Sequence, residues 1–96
     1  MNTSVEVRQA QTDELTRLTK AFSDAQAELK RVEALRTEAW ARFRWLNDRE
    51  HYEGAGRAMD AWKHVSLEML AAIEVVAERW EALVAYGRQR WGSGHV

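Results

Sequence analysis

Ninety-six residues carry fourteen Lys or Arg against fifteen Asp or Glu, a net charge of −1 with both signs mixed along the chain, which excludes the basic footprint needed to bind nucleic acid by neutralising phosphates. No cysteine is present, so a disulfide framework, a thiolate zinc site and a cysteine nucleophile are excluded. Proline is absent too, leaving long unbroken helices permitted, and so short a domain gains by oligomerising because alone it buries little surface.

The N-terminal residues lack a basic start followed by an apolar run, and no window approaches the about 20 apolar residues of a membrane span. A cytoplasmic, unprocessed protein without membrane contact is expected. Thr3-Ser4-Val5-Glu6 fits a capping box, with Thr12 to Leu15 as a later start. Leu15, Leu18, Phe22, Ala25, Leu29, Val32, Ala39, Phe43 and Leu46 then follow an a/d heptad. Arg36 interrupts it, and Leu35 beside the seam is expected to take its place. The spacing predicts a helix over about 4–46, either continuous or broken near Phe22-Ser23-Asp24.

Asn47 to Gly56 concentrates turn chemistry: Asn47 and Asp48 favour caps, and Gly54 and Gly56 favour chain reversal. A turn over 47–56 is expected, with Asn47 and Glu50 spaced to cap a short third helix. A second helix over about 57–91 follows, and residues 92–96 form a disordered tail. Its apolar residues fall in two rows, one through Met59, Trp62, Met69, Ile73, Val76, Trp80 and Leu83, the other through Leu70, Ala77, Val84 and Trp91. Both rows lie on one side of the helix, and together they are wider than a two-helix seam needs. The fold expected is all-α: a long two-helix hairpin that dimerises into a four-helix bundle with the second helices at its centre. The dimer interface is then Trp62, Met69, Leu70, Ile73, Ala77, Trp80, Val84 and Trp91.

Asp60, His64 and Glu68 are spaced to share one side of the second helix, but a single imidazole among carboxylates reads as a solvated face, and no metal or other cofactor is expected. Glu74, Glu78 and Glu81 form a carboxylate stripe, either a solvated face or a ridge that docks on a basic partner. Lys30, Arg31, Arg36, Arg42 and Arg44 are interleaved with Trp40, Phe43 and Trp45, the composition of a single-strand stacking surface, yet Glu28, Glu33 and Glu38 dilute the charge. Trp40 flanks the seam and reads as core. Trp45 lies opposite the apolar row beside Arg42, Arg44 and Arg49, and either anchors an interface or folds back on the turn and Tyr52. The expected contacts with a protein partner are Trp45, Arg42, Arg44, Glu74, Glu78 and Glu81.

No phosphate-binding glycine loop and no serine, histidine and acid set stands out, so an enzyme is not expected. The segment Glu53-Gly54-Ala55-Gly56-Arg57-Ala58-Met59-Asp60, with Trp80 followed by Tyr86-Gly87, Trp91 and Gly92, resembles parts of the C-terminal half of small helical phage-encoded anti-CRISPR proteins acting on type I-E systems. The resemblance implies a dimeric helical inhibitor in the host cytoplasm that binds a CRISPR effector component, such as the helicase-nuclease recruited to cleave DNA. Two rival readings stand beside it, a structural or adaptor coiled-coil protein of phage or bacterial assembly and a nucleic-acid-binding regulator using Lys30 to Arg44.

Overall fold

The structure, a computed structural model, describes residues 3–92, with side chains through residue 90. Helix α1 spans Thr3–Asp48 and helix α2 spans Tyr52–Gly87; a five-residue π-helical turn, Arg88–Gly92, closes the described chain. The two helices form an all-α hairpin, and no strand occurs among the described residues. α1 continues through Phe22-Ser23-Asp24 without interruption.

The heptad is the reason these helices pair. Along α1, Leu15, Leu18, Phe22, Ala25, Leu29, Val32, Ala39, Phe43 and Leu46 are half-buried or buried, while most intervening positions are exposed. Along α2 the matching stripe is Ala55, Ala58, Trp62, Val65, Met69, Ala72, Val76, Leu83 and Tyr86. Among the described residues, full burial is confined to Ala25, Val32, Ala55 and Ala58, all of them small.

The described chain divides into two compact units, each taking a piece of both helices. One joins α1 up to Gln26 with α2 from Val75 onward; the other is 27–74, the stretch around the turn. In the first, the Tyr86 hydroxyl donates to the carbonyl of Gln11 at 2.6 Å and the Arg79 guanidinium to that of Ala21 at 2.8 Å. In the second, Arg36 Nε donates to Ser66 Oγ at 2.9 Å and the guanidinium lies 4.8 Å from the Trp62 ring centroid.

That last contact corrects the expectation at the heptad break. Leu35 does not replace Arg36; it stays 38% exposed, and Arg36 keeps the seam position. A long stem can lie along apolar surface while its head finds a polar partner, and here the partners are an indole face and a hydroxyl.

The turn is also shorter than 47–56, and no third helix forms there. α1 runs to Asp48 and α2 starts at Tyr52, so both glycines lie inside the second helix. The reversal uses backbone amides instead: Glu50 donates to the carbonyl of Asn47 at 3.1 Å and His51 to that of Leu46 at 3.0 Å. Glu50 takes φ 61°, and the whole is a Schellman closure with glutamate where glycine usually sits. The next helix is started by Ala55, whose amide donates to the carbonyl of His51 at 2.8 Å.

Since a non-glycine residue pays about 1–2 kcal/mol to adopt this conformation, Glu50→Gly is expected to raise the melting temperature by roughly 4–8 °C. Gly56 has nothing within 4 Å of a built Cβ, so Gly56→Ala is expected to stabilise α2 by about 1 kcal/mol. Thermal melts followed by circular dichroism check both; a fall in either variant would contradict the turn described here.

Residue 92, expected in the tail, ends the π-helical turn, and 93–96 lie outside the described residues.

Candidate protein-docking surfaces

Two surfaces combine exposed aromatic or aliphatic groups with a fixed geometry, one in each unit. In the unit around the turn, Trp45 sits one turn before the end of α1, on the side away from the seam, and is 54% exposed. Its indole is held by one of the three arginines that the sequence places beside it. Arg49, four residues on, places its guanidinium 4.0 Å from the ring centroid and donates to the Trp45 carbonyl at 3.2 Å. The i, i+4 spacing makes this possible, since such residues stack on one helix face.

Trp45 borders a depression of about 360 Å³ whose other walls include Leu46, His51, Tyr52, Gly54 and Arg57. Tyr52 is 66% exposed at the start of α2. Trp45 is therefore open to solvent and also next to the turn. Leu46 packs over Gly54, where a built Cβ would lie in ordinary van der Waals contact, 3.4 Å from Leu46 Cδ1. Arg57 pairs with Glu53 at 3.2 Å on the rim. Arg42 lines an adjoining depression with Leu46, Gly54 and Ala58, and Arg44 is exposed.

Also in this unit, Trp40 packs against Phe43 and Trp62, with centroids 5.3 and 5.4 Å apart. Trp62 and Met69 are half-buried on the hairpin's own seam, whereas Leu70 and Ile73 are exposed. Glu74 is exposed as well. His64 and Glu68 approach to 3.3 Å, and among the described residues no group of three His, Cys, Asp or Glu is placed to hold a metal ion.

In the other unit, Trp80 packs against Phe22 with the rings tilted by 45° and their centroids 5.4 Å apart, and leaves 53% of its surface exposed. Ala77, Glu78 and Glu81 are exposed beside it, and Val84 is half-buried. The side chain of Trp91 lies outside the described residues.

Part of the surface charge of α1 is neutralised locally, at one-turn spacing. Arg17 Nε donates to Glu14 at 3.0 Å and Arg31 Nε to Glu28 at 3.0 Å. The hydrogen bond from each arginine holds its glutamate below the ordinary carboxylate range. A lowered carboxylate pKa contributes stability above its unfolded value and loses it as pH falls through the folded one. These pairs are exposed, so salt screens them and their share is small. In contrast, Arg42, Arg44, Glu74, Glu78 and Glu81 form no ion pair or hydrogen bond among the described residues. Their charge is available to a partner.

No protein-family model, curated protein or solved structure matches the chain. No helix among the described residues is long and apolar enough to cross a membrane.

Proposed function

We propose that the chain is a protein-binding inhibitor, a phage anti-CRISPR protein that blocks a type I CRISPR effector or its helicase-nuclease by occupying its surface in the host cytoplasm. The observation that carries the binding reading is the Trp45 platform. A large indole is held rigid by Arg49, exposed over half its surface and flanked by Tyr52. Tryptophan, tyrosine and arginine dominate interface hot spots, and an anchor already fixed loses little entropy on docking. The unpaired Arg42 and Arg44 lie on the same stretch of α1. The CRISPR target comes from the resemblance of Glu53 to Asp60 and of the Trp80 to Gly92 segment, and the functional unit is a homodimer.

Expressing the chain in a host with an active type I-E system, challenged by a phage that the system targets, tests this reading. Restored plaquing is expected, with loss of restoration for Trp45→Ala. No restoration would reject the CRISPR target. Co-purification with a large assembly would then favour the structural adaptor, for which the long heptad seam speaks, and a salt-sensitive gel shift would favour the nucleic-acid regulator.

A further inference from the structure

On one side of the unit built from α1 up to Gln26 and α2 from Val75 onward, the stretch of α1 from Thr12 to Ser23 carries no formal charge. Two contacts fix how the helices are rotated. Phe22 meets Trp80 on one side of the seam, while one residue earlier on each helix Arg79 reaches the carbonyl of Ala21 on the other. Helical spacing puts Thr12, Thr16, Thr19 and Ser23 of α1 on the Trp80 side, all exposed. It puts Ala77 and Val84 of α2 there as well. Asp13, Glu14, Arg17, Lys20 and Asp24 fall on the remaining faces, and Arg8, four residues before Thr12, marks the N-terminal end of the uncharged stretch. Hydroxyls, methyls and one indole are cheap to remove from water; formal charges are not.

At the α2 edge of this face a groove runs past Trp80, Val84 and Ala85, bordered by Glu81 and Arg88. These two are opposite in sign and seven residues apart, and neither has an ion pair or hydrogen bond among the described residues. A two-fold contact repeats every pairing, so residue i meets j and j meets i. Antiparallel copies of α2 centred near Val84 therefore set Glu81 of each chain against Arg88 of the other.

We propose that this face seats the same face of a second copy, antiparallel about a two-fold axis near Val84, with Glu81 and Arg88 paired across the rim. The inference gives the homodimer reading a specific face, and it does not depend on what the Trp45 platform binds. The test is sedimentation equilibrium on the full chain, with circular dichroism to verify helicity. The wild type is expected to be a dimer at micromolar concentration. Glu81→Arg, which sets like charges together twice, is expected to raise the dimer Kd at least about tenfold, and Glu81→Arg with Arg88→Glu to restore it. Thr16→Lys, on the other helix of the same face, is expected to weaken the dimer while the hairpin stays helical. A monomeric wild type would overturn both the face and the homodimer reading. A dimer insensitive to Glu81→Arg and Thr16→Lys would overturn this face and leave the homodimer reading standing. Weakening by Glu81→Arg without rescue by the double variant would overturn the antiparallel pairing.

Discussion

Val32→Asp is expected to abolish the cooperative thermal transition and most of the helical signal. Val32 is 2% exposed in a chain whose fully buried residues are few and small. Removing an isopropyl group from such a position forfeits about 1.5–3 kcal/mol of burial. Placing a carboxylate there adds its desolvation or forces the helices apart, bringing the total beyond about 4 kcal/mol. A domain of this size holds about 5–15 kcal/mol in reserve, and a two-helix seam sits at the low end. Leu35→Asp, three residues along and 38% exposed, is the control and is expected to shift stability by no more than about 0.5 kcal/mol. Far-UV circular dichroism during a thermal melt checks the pair. Equal losses would mean that Leu35, not Arg36, belongs to the seam.

Trp45→Ala is expected to leave folding intact and to cost at least about 2 kcal/mol of partner affinity, roughly thirtyfold in Kd. The indole touches Arg49 and the rim of an open depression, and no core residue depends on it. Arg49→Ala is expected to act more weakly in the same direction, because it loosens the indole without removing it. Titrating the two variants against the purified effector component by calorimetry, with melting temperatures measured alongside, separates binding from stability. A drop in melting temperature matching the lost affinity would mark Trp45 as structural.

The seam was legible because its signal is periodic: Leu15 to Leu46 and Met59 to Leu83 repeat at helical spacing, and packing followed that repeat. Arg36 shows where periodicity stops being informative. A one-letter hydrophobicity pattern rejects arginine from a seam, whereas the side chain has an apolar stem and meets Trp62 and, thirty residues along the chain, Ser66. The turn was misplaced for a different reason. Gly54 and Gly56 advertise reversal, but the reversal is made by amides of Glu50 and His51, which every residue type carries. At the candidate sites, the position of Trp45 off the seam and the surplus apolar face of α2 both followed from spacing. Its clamp by Arg49 follows from i, i+4 geometry on α1. The bonds from Tyr86 to Gln11 and from Arg79 to Ala21 do not, because they depend on the register between helices, which the turn length sets.

The most direct measurement is a photocrosslink in cells carrying a type I-E system, with benzoylphenylalanine in place of Tyr52 beside Trp45 or in place of Lys20 on the outer side of α1. The account predicts an adduct with an effector component or its helicase-nuclease from the Tyr52 position, lost with Trp45→Ala and absent from the Lys20 position. Adducts formed equally from both positions, or none to any protein but the chain itself, would contradict it.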